Sequence, residues 1–437
     1  MSDTETTHFG KYELLTRIAV GGMSEIYRAR YEPAPGVSKL IVIKRILPHF
    51  SADTRFIEMF TDEARIAMGL SHPNVAQVFD FGQVDGDYFL AMELVEGQTL
   101  SKVNKRLKSL DFPAVPVEYA VFIIIEILKG LHYAHTRRDD RGEPLLIVHR
   151  DVSPQNIVVG YEGLLKLVDF GIAKARNASR EETQVGAMKG KYAYFSPEQA
   201  RGRDLDARSD VFSAASVLYE LVCGQLPFPG KMMDAVPKIV RGEFARPREV
   251  APNVPEELEG ILLKAMTHEK ADRYESAEAF QQALEEFLGR AAPGFSARNI
   301  SQLMDFLYES ERVKEGRQVT LSREFLAKLP AWRAAPVVKS GKSASQPDLH
   351  TVAARPKRST SWGSLDPEAT AKAPSPDAET EAWSPVVTAP GTVGGTQLTS
   401  SKPSPKQVWG PLFIMLPLAA MAVSALIVWA VFSLLSN

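Results

Sequence analysis

The sequence predicts an α+β protein with two lobes, a disordered linker and one C-terminal transmembrane helix. Strand-like runs dominate the chain up to about residue 100, and helix-like periodicity dominates from there to about residue 330. A stretch rich in Pro, Ser, Thr, Ala and Gly then precedes an uncharged apolar run. These shifts place the folded domain at residues 9–288, a helical extension at 289–334, the linker at 335–407 and the membrane helix at 412–435.

The N-terminal lobe is predicted to be small and rich in β-structure. Its strand-like runs are YELLTRIAV, SEIYRARYE, KLIVIKRIL, VAQVFDFGQV and DYFLAMELV, and one helical pattern, RFIEMFTDEARIAMGL, interrupts them. The larger C-terminal lobe is predicted to be helical. Its patterns are EYAVFIIIEILKGLHYAH, SDVFSAASVLYELVCG, PEELEGILLKAMT and SAEAFQQALEEFL.

Residues 412–435 carry no charge and are long enough to cross a bilayer core of about 30 Å. A buried core helix is the alternative. Lys402 and Lys406 precede the run and no Lys or Arg follows it, so a single-pass protein should keep its folded domain in the cytoplasm. The N-terminus lacks the apolar stretch of a signal peptide. The linker is either a spacer or a platform for phosphorylation.

The composition excludes several classes of function. The chain has 51 Lys and Arg against 53 Asp and Glu, which argues against nucleic-acid binding through bulk positive charge. Cys223 is the single cysteine, so an intramolecular disulfide and a cysteine-based structural zinc site are excluded. The lack of disulfide bonds indicates that the folded part of the protein lies in a reducing compartment.

Two features of the N-terminal lobe suit a phosphate ligand. Gly21 and Gly22 form a turn between two strand patterns, where the backbone can approach a phosphate closely, although an ordinary hairpin turn is the alternative. Lys44 follows three apolar residues on a strand pattern. Its ammonium group can neutralise phosphate charge if a carboxylate holds it, and Glu63 on the helical pattern is the candidate.

Polar residues in the larger lobe follow apolar runs at fixed intervals. The segment HRDVSPQN supplies Asp151 as a base and Asn156 as a metal ligand. Asp169, in KLVDFG, follows the next apolar run, and its carboxylate together with Asn156 offers hard oxygen ligands for Mg²⁺. Further along, Glu198 in YFSPEQ and Arg273 in DRY are candidates for a structural ion pair.

In this order and at these spacings, the motifs over about residues 9–288 resemble the eukaryotic-like Ser/Thr protein kinase family, especially its membrane-attached bacterial members. The resemblance implies a bilobal protein kinase fold with ATP and Mg²⁺ (or Mn²⁺) as cofactors. It implies transfer of the γ-phosphoryl group to Ser and Thr hydroxyls of protein substrates. It also implies autophosphorylation of the activation segment, in trans within a dimer, and signalling from the cytoplasmic face of a lipid bilayer.

The resemblance assigns a role to each matching position. Lys44 would contact the α- and β-phosphates and pair with Glu63, Asp151 would accept or orient the proton of the substrate hydroxyl, and Asn156 and Asp169 would hold Mg²⁺. Met92 would be the gatekeeper beside the adenine. The nucleotide-binding positions are Ile18, Ala19, Val20, Gly21, Gly22, Ser24, Ile26, Val42, Lys44, Met92, Glu93 and Val95.

The activation segment and the large lobe have their own assignments. Thr183, or alternatively Ser179, is the predicted site of autophosphorylation, and Arg150 would receive the phosphate. Asp210 would be a structural residue of the large lobe. His132 and His135 have the spacing of a metal pair, but a helix ending in LHYAH also occurs in the family without a metal, which is the interpretation we favour.

The sequence also departs from the family pattern. Ala19 and Ser24 replace two glycines of the phosphate loop, and Val42 and Ser196 each replace an alanine. The family has Lys two residues after the catalytic Asp and Thr before the APE motif. Here these positions are Ser153 and Lys191, so we predict that they have exchanged roles and that Lys191 is a catalytic residue. Alternatively, Ser153 marks a weaker or Tyr-type kinase and Lys191 is solvated.

Two other functions compete with a protein kinase. A pseudokinase scaffold at the membrane is disfavoured because the sequence retains five residues of the catalytic motifs, namely Lys44, Glu63, Asp151, Asn156 and Asp169. A small-molecule phosphotransferase is disfavoured because the DFG triplet precedes an intact SPE segment, which forms the peptide platform in the family.

Overall fold

The computed structural model describes residues 7–51, 53–170 and 191–337 of the chain. The strands are β1 (Thr7–Phe9), β2 (Tyr12–Val20), β3 (Ser24–Ala34), β4 (Val37–Ile46), β5 (Val78–Val84), β6 (Asp87–Glu93), β7 (Gly97–Thr99), β8 (Ile157–Gly160) and β9 (Leu165–Leu167).

Helices are sparse in the first lobe and dominate the second. In chain order they are α1 (Pro48–Ser51), α2 (Thr54–Met68), α3 (Leu100–Ser109), α4 (Val117–His135), a 3-10 helix (Lys191–Tyr194), α5 (Pro197–Ala200), α6 (Ala207–Cys223), α7 (Met232–Arg241), α8 (Pro247–Val250), α9 (Glu256–Ala265), a 3-10 helix (Lys270–Asp272), α10 (Ala277–Ala291), α11 (Ala297–Leu307), α12 (Glu309–Lys314) and α13 (Arg323–Arg333).

The N-terminal lobe is a six-stranded antiparallel sheet in the order β1-β2-β3-β4-β6-β5, with α2 packed on one face. Alternation along β4 sorts its side chains between the two faces. Ile41 and Ile43 join one apolar cluster, whereas Val42 and Ile46 join the cluster that contains the α2 aromatics. Lys44 shares the parity of the second set, so its side chain lies on the face toward α2.

The C-terminal lobe is built around α4 and α6. The apolar side chains along α4 are almost wholly buried, and α6 is buried along nearly its whole length. Such helices, apolar on most faces, are typical of the centre of a large core. The same lobe contains a small antiparallel sheet in the order β7-β8-β9. Asn156 directly precedes β8, and Asp169 follows the end of β9.

Helices α11 to α13 pack onto the C-terminal lobe and share its core. Leu303 and Leu307 are buried in the same cluster as α4, and Phe306 meets Phe112 edge-to-face with ring centroids 6.0 Å apart. Gly163, at φ +87°, lies so close to the start of α11 that an added Cβ would come 1.9 Å from a backbone oxygen of this helix. The closeness of this approach explains the glycine.

The predicted bilobal α+β arrangement is confirmed, although the short strands β1, β7, β8 and β9 were not anticipated. Within residues 7–51, 53–170 and 191–337, no helix combines the length and apolarity needed to cross a membrane. Residues 412–435, and the linker from residue 338 onward, lie outside this part of the chain, so the anchor and the disordered linker remain predictions.

Candidate active site

Lys44 joins the two lobes electrostatically. Its Nζ lies 2.9 Å from Asp169 Oδ1 and 3.5 Å from Glu63 Oε1, on α2. Burial opposes the charged form, but the two carboxylates outweigh it and hold the pKa of Lys44 above its usual value. The ammonium group is therefore permanent at neutral pH. The predicted pair with Glu63 forms, and Asp169 is the nearer partner.

Asp169 follows β9 in a left-handed backbone conformation, with φ +57°. Burial tends to raise the pKa of this carboxyl group, but the Lys44 ammonium more than offsets it, so the pKa lies below its usual value. Asp169 is consequently ionised at neutral pH. An ionised carboxylate beside an amide oxygen is a donor set that suits Mg²⁺.

Asp151 and Asn156 are fixed to each other within one loop. Asn156 Nδ2 donates to the Asp151 main-chain oxygen at 2.9 Å and to its Oδ2 at 2.8 Å. Lys191 Nζ lies 2.8 Å from the same Oδ2. Asp151 is 7% exposed. Because the Asn156 nitrogen makes both bonds, its oxygen is the atom that would ligate a metal.

Asp210, on α6, fixes the backbone of the loop that carries Asp151 through hydrogen bonds. Its carboxylate accepts from the main-chain N–H groups of His149 at 2.7 Å and Arg150 at 2.9 Å. Arg150 has φ +65°, an unusual conformation for a side chain with a Cβ, and these bonds hold it there. His149 in turn accepts from the Asp151 N–H at 3.2 Å. The position of Asp151 is therefore set by several buried hydrogen bonds.

His135 completes the Asp210 network. Its Nε2 lies 2.8 Å from Asp210 Oδ2, while His132 lies 3.7 Å from Glu278. In the part of the chain that the structure describes, no group of three or more His, Cys, Asp or Glu side chains could hold a metal. The pair of Asp169 and Asn156 is not such a group, because it consists of one carboxylate and one amide.

The predicted nucleotide-binding positions lie on neighbouring strands of the first lobe and on the segments next to them. Strand register pairs Ile26 with Lys44 and Val42 with Met92, and all three apolar residues belong to one cluster. The other positions lie on β2, in the turn that follows it, on β3, and at or just after the end of β6. These flanking positions are Ile18, Ala19 and Val20 on β2, Gly21 and Gly22 in the turn, Ser24 on β3, Glu93 at the end of β6 and Val95 just after it.

The turn between β2 and β3 is open to solvent. The Gly21 N–H donates to the Ser24 carbonyl at 2.8 Å and closes the hairpin. Ile18 and Val20 are 45% and 59% exposed, although both are apolar. Exposed apolar side chains next to a glycine turn suit a surface that covers a planar base and its phosphates.

A sequence model of the protein kinase domain matches residues 12–285 of this chain, which includes Lys44, Asp151 and Asp169. The chain belongs to the protein kinase family. The predicted protein kinase family is therefore confirmed, whereas the membrane attachment remains a prediction.

The kinase is similar to several bacterial proteins. Tyrosine-protein kinase MasK of Myxococcus xanthus is 41% identical over 312 residues, which cover 71% of this chain and 48% of MasK. Serine/threonine-protein kinase PrkC of Bacillus subtilis is 35% identical over 270 residues, covering 62% of this chain and 39% of PrkC. The chain thus spans less than half the length of these relatives.

One solved structure that is similar to this chain is the PknI kinase domain of Mycobacterium tuberculosis. The two are 27% identical, and the match covers 65% of this chain and 99% of the PknI chain, with a TM-score of 0.48.

The predicted structural ion pair of the kinase forms as expected. Arg273 donates to both Glu198 oxygens at 2.8 Å, and Ser209 donates to one of them at 2.6 Å. Burial opposes ionisation of Glu198, but Arg273 outweighs it and keeps the pKa below its usual value. The pair links α5 to the segment that precedes α10 within the large lobe.

Sequence reasoning missed some supports of the site. Lys166 on β9 is buried and forms an ion pair with Glu93 at 2.9 Å, which ties the β9 strand to the adenine-side segment. Gln199 donates to the Arg150 carbonyl at 2.8 Å. The sequence gives one signal for the Lys166–Glu93 pair, which is a lysine between two leucines in a short apolar run. It gives no signal for the contact between Gln199 and Arg150.

Proposed function

We propose that this kinase transfers the γ-phosphoryl group of ATP to Ser and Thr hydroxyls of protein substrates. The observation that supports this most is the convergence of Lys44 and Asp169 across the lobes, 125 positions apart in sequence and 2.9 Å apart in space. A scaffold that does not use ATP has no need of this arrangement. Asp151 and Asn156, which are hydrogen-bonded to each other, supply the base and the second metal ligand.

In this proposal each residue has a separate task. Lys44 binds the non-transferred phosphates through its permanent charge. Mg²⁺ (or Mn²⁺), held by Asp169 and Asn156, would neutralise phosphate charge as the bond to the leaving group breaks. Asp151 orients the substrate hydroxyl. As its oxygen bonds to the γ-phosphorus and the bond to ADP breaks, the hydroxyl proton passes to the Asp151 carboxylate.

The choice between Ser/Thr and Tyr hydroxyls rests on the relatives and the sequence. PrkC carries a serine/threonine name and MasK a tyrosine name. Pro154 in the catalytic loop and the SPE segment favour Ser and Thr. We expect phosphoamino-acid analysis of a generic protein acceptor to yield phosphoserine and phosphothreonine, whereas phosphotyrosine alone would overturn this part of the proposal.

The activity itself is tested with the full chain, ATP and Mg²⁺ or Mn²⁺. We expect phosphate transfer by the wild type and none by Asp169→Ala, because the metal would lose its carboxylate ligand. Asp204→Ala, at an exposed position in the large lobe, is the matched control and should stay active. Nucleotide binding without transfer by the wild type would favour the pseudokinase scaffold.

Autophosphorylation of the activation segment at Thr183, or at Ser179, belongs to the same proposal, and both residues lie outside the described part of the chain. Arg150 Nε is buried and has no hydrogen-bond partner among the described residues, and such a group needs a partner. We expect mass spectrometry of active protein to find phosphate at one of these sites. A rate that rises with kinase concentration would indicate transfer in trans within a dimer.

We also propose that residues 412–435 anchor the kinase to the membrane with its catalytic domain in the cytoplasm. The uncharged run and the lysines that precede it support this. We expect the full chain in the membrane fraction and a chain ending at Lys406 in the soluble fraction with its activity intact. A full-length protein that is already soluble contradicts the anchor.

A further inference from the structure

Lys191 begins a one-turn 3-10 helix whose position is fixed by the large lobe. Tyr192 donates its hydroxyl to the Gly230 carbonyl at 2.9 Å, and Tyr194 donates to Glu220 Oε2 at 2.6 Å. Ala193 between them is 1% exposed. The backbone that follows Lys191 is therefore anchored to the large lobe, and the Lys191 ammonium group reaches the catalytic loop from there.

The Lys191 ammonium group lies among the acidic groups of the site. Its Nζ is 2.8 Å from Asp151 Oδ2, and the Lys191 side chain is 24% exposed. A lysine that was merely solvated would not make this contact.

The position two residues after Asp151 supplies no charge to compete with Lys191. Ser153 is 1% exposed, and its Oγ has no hydrogen-bond partner among the described residues. The Ser153 hydroxyl therefore makes no stabilising bond with residues 7–51, 53–170 and 191–337. The Lys44 ammonium group is engaged by Asp169 and Glu63. Within the described part of the chain, Lys191 is the lysine whose ammonium group forms an ion pair with Asp151.

We propose that Lys191 contacts the transferred γ-phosphoryl group and supplies the positive charge that Ser153 does not. An ammonium group has three donors, so one N–H can stay on Asp151 while another meets a phosphate oxygen. A fixed cation at that point stabilises the charge that develops on the phosphoryl oxygens during transfer. This inference rests on the proposed kinase function and assigns one further residue to it.

The first test is a mutant cycle in the full chain, with wild-type transfer to a Ser/Thr acceptor as its reference. Lys191→Thr should slow kcat roughly 10- to 150-fold, the equivalent of about 1.5–3 kcal/mol for a charge-assisted contact. Adding Ser153→Lys should restore much of that rate, because the ammonium returns from the other side. Lys238→Thr, at an exposed position on α7, is the matched control and should match the wild type.

Two results of this cycle would overturn the inference. One is a Lys191→Thr variant with full kcat. The other is a double variant no faster than Lys191→Thr alone, since a lysine that only packs or only orients Asp151 from its own side would not be replaced by one at position 153.

The second test does not require transfer. Calorimetry would compare the Mg²⁺ complexes of ADP and of an ATP analogue with a non-transferable γ-phosphate. Lys191→Thr should weaken analogue binding by about threefold or more and leave ADP binding unchanged, because only the analogue carries the contacted group. Equal effects on both nucleotides would overturn the inference. An inactive wild type that shows the selective effect would instead overturn the proposed function and leave the Lys191 contact standing.

Discussion

Two buried or half-buried ion pairs in the large lobe differ in how completely they are satisfied. Arg273 and Glu198 share two parallel bonds at 2.8 Å, their side chains are 0% and 6% exposed, and Ser209 adds a third bond. Lys191 and Asp151 share one bond at 2.8 Å, and the Lys191 side chain remains 24% exposed. The Arg273–Glu198 pair is therefore closed to water, whereas the Lys191–Asp151 pair remains accessible to it.

The difference shows how one lobe separates stability from chemistry. A bidentate pair without access to water has no capacity for another ligand, and removing one partner leaves a buried charge that is costly. A pair with a single bond and some access to solvent keeps donor and acceptor positions for a phosphate oxygen or a substrate hydroxyl. We therefore expect mutations at the first pair to change the free energy of unfolding, and mutations at the second to change the rate.

The largest expected effect is on catalysis. Lys44→Met and Asp151→Asn should each reduce phosphoryl transfer by orders of magnitude, since charge stabilisation and positioning provide most of the catalysis. The fold should persist after Lys44→Met because the Asp169 side chain is 31% exposed and water can replace the lost ammonium group. It should persist after Asp151→Asn because the amide keeps the size and shape of the carboxylate. Initial rates and circular dichroism would be measured together. A variant that keeps more than about a tenth of the wild-type kcat would contradict the roles assigned here.

The next effect is on stability. Arg273→Met should lower the free energy of unfolding by about 3–5 kcal/mol, because Glu198 would be left as a buried charge without its partner. The matched control is Arg65→Met, which breaks an exposed pair with Asp62 and should cost about 0–1 kcal/mol. Urea unfolding measures both. Equal losses would show that the buried pair has no special structural role.

The smallest expected effect lies in the C-terminal extension. Phe306→Ala removes a half-buried ring that packs against Phe112 and Phe325, and should cost about 1–2 kcal/mol of folding free energy. Val313→Ala, at a 56% exposed position on α12, is the control and should be nearly neutral. If Phe306→Ala left urea unfolding unchanged, α11 would not be part of the cooperative core.

Local patterns made the individual catalytic residues predictable, whereas their partners depended on the tertiary arrangement. The apolar residues before Lys44 and the carboxylate on α2 pointed to one ion pair, and that pair forms. The shorter contact to Asp169 depends on how the two lobes meet, which no local pattern encodes. Similarly, the spacing of His132 and His135 said nothing of Asp210, which binds His135 from another helix.

Lys191 was found by a different kind of signal. The exchange of residue types at positions 153 and 191 pointed to it, and the structure adds the 2.8 Å contact with Asp151. The short strands were missed because three- and four-residue runs carry too little periodicity to be distinguished from loops.

The way α11 to α13 cover the large lobe has a practical meaning for protein production. Phe112 and Tyr119 are each 2% exposed, and their rings are covered by Phe306 on α11 and by Trp332 on α13, whose ring centroid lies 5.3 Å from that of Tyr119. Cutting the chain where the family match ends, at residue 285, would open this apolar surface to water and favour aggregation. The smallest well-behaved catalytic fragment should therefore extend to Arg333, the end of α13.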